Sequence, residues 1–437
     1  MKLFRNKYFI IFIFGIAIIA AIFWLAAYFI NANKTTAPAK KIIGQLKQWQ
    51  WITGDTHTHN NYCMRTITAD DIVKSMTQNN VQVASFLLWS GGLTKESERA
   101  LLTGKDSPAS TAEHILHVDV EISQVAAAPM GHLILLGLPS LDFLKSPNNY
   151  PKSGVPIVEW AAKQNPQIIV GMAHGQSSLV GDNFELAKTA DPPLEFPIHL
   201  ARGQIHFIES DAGYEENSPI KNNLMAFWSK MLNSGFKVAI TGGSDFTCLS
   251  QEVGSIRTYA LIDGDLSYRA FLDAIGAGRT VVSNSSQDWL TLKVNGADIG
   301  GEVKAKAGEL LKIEIESDLK SPGNVEILVN GKVEKNAPVL AGKQTVKVNL
   351  VLNSSAWLAL RTRNALTSAV YIIVDGKPIR ASADDACYLV RYVDYLTGRV
   401  KSGNLMLGDE KETTLSAYKE ARDEFMKRFQ EAGGITC

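Results

Sequence analysis

The sequence predicts an α/β protein with a mostly parallel sheet, open or closed into a barrel. A small β-sandwich and a C-terminal helical segment follow it. Three observations predict this. From Ile52 to about Ser283, short apolar runs alternate with helix-length amphipathic ones, as in strands joined by crossover helices. From about Gln287 the pattern becomes a series of short β-rich runs separated by turn signals, the mark of a sandwich. After Ser382 two amphipathic stretches read as helices. The resulting divisions are 1–30, 31–50, 51–288, 289–380 and 381–437.

The first division is a membrane signal. Lys2, Arg5 and Lys7 precede an unbroken apolar run, Tyr8 to Ile30. At about 1.5 Å per residue it reaches roughly 35 Å as a helix, enough to cross the hydrocarbon core of a bilayer. It ends in FINANK, a poor cleavage site, which favours an uncleaved anchor over a removed signal peptide. The basic flank stays cytoplasmic, so the rest of the chain is expected on the exported side, periplasmic or extracellular. Asn31 to Lys41 (NANKTTAPAKK) reads as a polar tether.

In the barrel region, Thr68 can cap a helix with Asp70 and Asp71 in its first turn. Strands are expected at VQVASFLL (81–88), HLILLGL (132–138), QIIVGM (167–172), QIHFIE (204–209), KVAIT (237–241) and RTVVS (279–283). Helices are expected at 155–164, at 219–235 with Gly235 as its C-terminal cap, and at 266–278. In the sandwich region the runs WLTLKVNG, LLKIEIES, VEILVNGK, TVKVNLVL, AWLALRTR and AVYIIVDGK are separated by NG, SPGN, NGK and DGK turns.

Composition bounds the function. The 437 residues suit two or three domains, and 46% hydrophobic content supports a sizeable core. Lys plus Arg equals Asp plus Glu at 44 each, so nothing in the charge balance calls for a nucleic-acid partner.

The chemistry gathers at strand ends. GDTHTH places His57 and His59 two residues apart, so on a strand both point to one side. His174 follows IIVGMA, Glu209 follows QIHFI and Asp245 follows KVAITGGS. In α/β barrels, groups at carboxyl strand ends converge on one site. Glu121, ending the alternating run HILHVDVE, and His132, opening the next strand, complete a candidate set. These are imidazole and oxygen donors that suit zinc, manganese or iron. The other histidines are weaker candidates: His206 alternates within a strand, His114 and His117 precede the Glu121 run, and His199 lies in a Pro-rich stretch. Arg257 and Tyr259, in GSIRTYA, suit either contact with an anionic substrate or packing and barrel closure.

The stretches GDTHTH, VEIS…MGHLILLGL, MAHGQ and GGSDFT…GSIRTYALIDGDLSYRAFLDAIGAGRTVVSNS resemble the PHP superfamily, the polymerase and histidinol phosphatase domains. Within it they are most similar to the CehA/McbA-like metallohydrolases, over about residues 52 to 296. The resemblance implies a distorted (β/α) barrel with a multinuclear metal site, and hydrolysis of phosphoesters or related esters and amides. It places His57, His59, Glu121, His132, His174 and Asp245 at family ligand positions, with Glu209 at a position of variable role. The sequence departs from the family where NNYCMRT follows H-x-H without an acid, where Trp89-Ser90-Gly91-Gly92 replaces an Asp-His pair, and where Asp245-Phe246-Thr247 replaces D-x-H. The missing groups are mostly those of an additional metal, so one or two divalent ions are expected.

The leading expectation is a membrane-anchored, exported, metal-dependent hydrolase of a small-molecule or envelope-derived ester. Bound metal would lower the pKa of a water towards neutrality, with Arg257 or a second metal stabilising the leaving oxygen. The alternative is a non-catalytic envelope scaffold on a degenerate barrel. A polysaccharide-processing enzyme would need an aromatic platform, and core packing explains Trp89, Trp160, Trp228, Trp289 and Trp357 as well. Cys63 and Cys248 follow His59 and Asp245 closely, so a shared metal would bring them to one rim and within reach of a disulfide. Cys387 would then pair with Cys437, the other possibility being four free thiols.

Overall fold

The computed structural model describes residues 49–60, 67–89, 95–123, 130–141, 151–164, 167–175, 194–210, 219–250, 252–284, 288–405 and 407–437. Trp49–Cys437 forms one compact unit. The strands of its first part are β1 (Trp49–Thr58), β2 (Val83–Trp89), β3 (Ile115–Ser123), β4 (His132–Leu136), β5 (Ile169–Met172), β6 (Phe207–Ser210), β7 (Ala239–Gly242), β8 (Arg257–Asp263) and β9 (Thr280–Ser283). Its helices are α1 (Ala69–Gln78), α2 (Glu96–Arg99), α3 (Val155–Ala161), α4 (Phe196–Ala201), α5 (Pro219–Asn233) and α6 (Tyr268–Gly276). Thr68 caps α1 in a capping box with Asp71. Gly235, at φ +82°, lies just beyond the end of α5.

The sheet is mixed, which corrects the mostly parallel expectation. β1, β2 and β3 pair in parallel, as do β5, β6 and β7. β4 runs antiparallel to both β3 and β5, and β8 runs antiparallel to β1 and β9. The reason is connection length: the stretch between Ser123 and His132 is too short for a crossover helix. Reversing β4 also brings its first residue, His132, to the rim where the parallel strands end.

From β8 through β1 to β7 the sheet curls until its ends meet. Gly242 N donates to Thr258 Oγ1 (2.7 Å), and that hydroxyl donates back to Gly242 O (2.9 Å). Thr280 Oγ1 donates to Ile240 O, and Ile240 N donates to Ser368 Oγ. Side-chain hydroxyls thus stitch the seam, and no backbone ladder closes a barrel there among the described residues. Inside, α6 fills the curl, with Phe271 packed among Ile52, Val83, Ile134 and Phe207. Gly54 makes room for it: a Cβ there would lie 2.4 Å from Phe271 Cζ.

The β-rich part continues the same sheet through β18 on β9. Its strands are β10 (Trp289–Val294), β11 (Ala297–Asp298), β12 (Glu302–Ala305), β13 (Leu310–Leu319), β14 (Gly323–Val329), β15 (Lys332–Val339), β16 (Gly342–Val351), β17 (Ala356–Arg361), β18 (Ala365–Thr367) and β19 (Val370–Val374). A separate antiparallel sheet, in the order β11-β10-β13-β16, buries Leu290, Leu292, Ile313 and Ile315. These meet Ile327, Leu358, Leu360 and Ile372 of the continued sheet in a single core.

The chain ends with α7 (Ala383–Lys401) and α8 (Lys411–Glu431). They belong to the main core: Tyr392 OH donates to Leu194 O (3.0 Å), and Tyr418 OH donates to the buried Glu195 (2.9 Å). A Cys387–Cys437 disulfide ties the chain end to α7. Cys248 is also disulfide-bonded; Cys63, its expected partner, lies outside the described residues. So does the Tyr8–Ile30 run, and among the described residues no helix is long and apolar enough to cross a membrane. Trp228 and Trp357 are buried against each other and offer no platform.

Candidate metal centre

β1 delivers His57 and His59 to one rim of the curled sheet. His59 Nδ1 donates to Leu87 O (2.8 Å), a pure acceptor. His57 Nδ1 donates to Glu209 Oε1 (2.7 Å). With their protons on Nδ1, both rings turn the Nε2 lone pair inward. Those two Nε2 atoms stand 3.0 Å apart. Glu121 Oε2 lies 3.6 and 3.3 Å from them, and Asp245 Oδ1 3.7 and 3.5 Å. Four electron-pair donors therefore crowd one buried point. They repel one another unless a cation lies among them, and the spacing suits ligands about 2.0–2.2 Å from one ion.

Beside this group lies a second. Glu121 Oε1 lies 2.7 Å from His132 Nδ1 and 3.9 Å from His174 Nε2, and those two nitrogens are 3.0 Å apart. Two sets, His57–His59–Glu121 and Glu121–His132–His174, could each hold an ion, with Glu121 common to both. Asp245 Oδ1 is buried without a hydrogen-bond partner, an arrangement that costs free energy unless something else engages it. The donor set fits one or two divalent metals.

Electrostatics favour a cation. Burial pushes His57 down, but Glu209, Glu121 and Asp245 outweigh it and hold the imidazole well above its ordinary value, so that without a metal ion the cation at this point is a second proton on Nε2. Burial pushes Glu121 up, but His132 and His57 hold it well below the carboxylate range. Backbone strain also gathers here. His174 (φ 57°) and Asp245 (φ 48°) both adopt the left-handed conformation, and His174 is the one such residue described that is not Asn, Asp or Gly.

Two of the expected site residues are engaged by their neighbours. Glu209 borders the first set: Oε1 accepts from His57 Nδ1 and Oε2 accepts from Thr56 Oγ1 at 2.5 Å. Arg257 is held by the fold. It is buried, donating to Gly254 O (2.9 Å) and Asn79 O (3.0 Å), because the turn after α1 and the loop before β8 present carbonyls that need a donor. The remaining histidines make other contacts. His114 bonds Val81 O, His117 bonds Asp106 and stacks on Tyr268, and His206 Nδ1 accepts from Val170 N. His199 is buried beside Glu195.

Sequence reasoning missed the supports. Asp55, the acid of GDTHTH, accepts from Ser244 Oγ and N, His57 N and Gly254 N, tying the β1 end to the loop that carries Asp245. Burial raises its pKa to about 6 despite these donors. Gly243 was also missed. A Cβ there would lie 2.4 Å from Glu209 Oε2 and 2.5 Å from His57 Cβ. The signal was the doubled glycine in TGGSD, placed just before a candidate ligand.

No family model matches the chain. No curated protein matches it either. Among solved structures, it is similar to a two-domain protein of Bacteroides vulgatus ATCC 8482 containing a predicted PHP-like metal-dependent phosphoesterase. That likeness has a TM-score of 0.40 and 12% identity, covering 76% of this chain and 94% of that one. An engineered protein gives a TM-score of 0.17 at 10% identity, covering 74% and 93%. Both scores are too low to carry an argument, so the functional reading stands on the site itself.

Proposed function

We propose that this chain is a divalent-metal-dependent hydrolase of PHP type, its curled sheet a distorted barrel, acting on a phosphoester or a related ester or amide. One observation carries the reading: His57 Nε2, His59 Nε2, Glu121 Oε2 and Asp245 Oδ1 converge on one buried point. His57, His59, Glu121 and Asp245 would hold one ion, and Glu121, His132 and His174 a second. When bound, such ions supply Lewis acidity and bring a coordinated water's pKa towards neutrality.

The chain's own residues do the rest. Leu87 O and Glu209 fix the two rings, so each presents Nε2 and not Nδ1. Glu121 couples the two groups through one carboxylate. His132 and His174 are the more accessible donors, with side chains 9% and 15% exposed, so substrate approaches from their side. Tethering to a membrane by Tyr8–Ile30, with the rest exported, remains part of the proposal and is supported by the basic, apolar start of the sequence.

The test is a screen of the full-length, metal-loaded protein against phosphomonoesters, phosphodiesters, carboxylic esters and amides, with His57→Ala and His174→Ala alongside. Turnover of one class that both variants lose supports the proposal. Stoichiometric metal without turnover of any class would instead support the scaffold reading.

A further inference from the structure

The two halves of the centre are not equivalent. The first offers four donors, with His57, His59 and Glu121 side chains 1% exposed and Asp245 7%. The second offers three, and its histidines are 9% and 15% exposed. The first also has a dedicated support. Thr56 Oγ1 donates to Glu209 Oε2, Glu209 Oε1 accepts from His57 Nδ1, and Gly243 leaves the space in which the carboxylate and the ring meet.

We infer that Glu209 is a positioning residue which, through His57, makes the four-donor half the tighter metal site, so that the centre loads in order. This rests on the metal reading above. The physical reason is local. A carboxylate on Nδ1 fixes the tautomer, aims Nε2 and increases its electron-donating power. Glu209 is buried and its other oxygen is held by Thr56, so it does not turn away when the ion leaves. Among the described residues Glu209 bonds His57 and Thr56, not His132 or His174, which stand on β4 and after β5. Loss of Glu209 should therefore weaken one uptake step and spare the other.

The experiment titrates the full-length, chelator-stripped protein with Zn²⁺ alone, by calorimetry and chelator competition. Wild type should bind in two distinguishable steps. Glu209→Gln, which keeps the shape but not the charge, should weaken the tighter step by about 10–100-fold and leave the weaker one unchanged. Thr56→Val should shift the tighter step in the same direction by less, and it guards against misfolding of the Glu209 variant. His174→Ala should remove the weaker step only. The inference is overturned if Glu209→Gln leaves the tighter step where it was, or if His174→Ala removes that step instead. A wild type that binds no Zn²⁺ would overturn the metal reading itself.

Discussion

Glu121 Oε1 lies 2.7 Å from His132 Nδ1. The other oxygen of the same carboxylate stands 3.3 Å from His59 Nε2. One side chain thus belongs to both halves of the centre. Glu121→Gln should weaken both steps of metal uptake, by more than the roughly 10–100-fold expected for an outer support. Calorimetry with Zn²⁺ checks this, and loss of a single step would show that the carboxylate serves one half only.

Gly243 sets the depth at which His57 and Glu209 meet. An added methyl at 2.4 Å from Glu209 Oε2 and 2.5 Å from His57 Cβ must displace one of them. Gly243→Ala should lower metal affinity about tenfold or more while the fold survives. Circular dichroism beside metal titration separates the two effects.

Arg257 tests the opposite assignment. Removing its guanidinium strands the carbonyls of Asn79 and Gly254. Arg257→Ala should cost about 2–4 kcal/mol of stability. Folded Arg257→Ala protein should still take up metal with normal stoichiometry. Denaturant melts and elemental analysis of the folded fraction check the pair of outcomes.

Much of this was legible in the sequence, and the gaps have physical causes. The apolar runs at 132–138 and 167–172 are strands because buried strands need little but hydrophobicity, and β4 and β5 sit within them. β15 was not legible. KVEKNAPV is polar, carries Pro338 and is mostly exposed, as an edge strand should be. The mixed direction of the sheet was missed because periodicity gives no strand direction. Candidate ligands were readable as residue types at strand ends, but Glu209 and Arg257 could be assigned only once their partners were known. The Asp55–Ser244 bond links residues far apart in the chain, and nothing local marks it.

The chain end makes a separate prediction. Cys387 and Cys437, 50 residues apart, are joined, and α8 buries Tyr418 and Phe425 in the main core. Cys437→Ser should lower stability by about 2–4 kcal/mol without changing metal content. Thermal melts with and without reductant check it. A variant that melts like the oxidised wild type would show that the bond adds nothing.

Elemental analysis of the full-length protein, loaded with metal and desalted, is the most direct measurement. The predicted result is two equivalents of divalent metal per chain, falling to one in His174→Ala. Less than one equivalent in the loaded wild type would contradict the account.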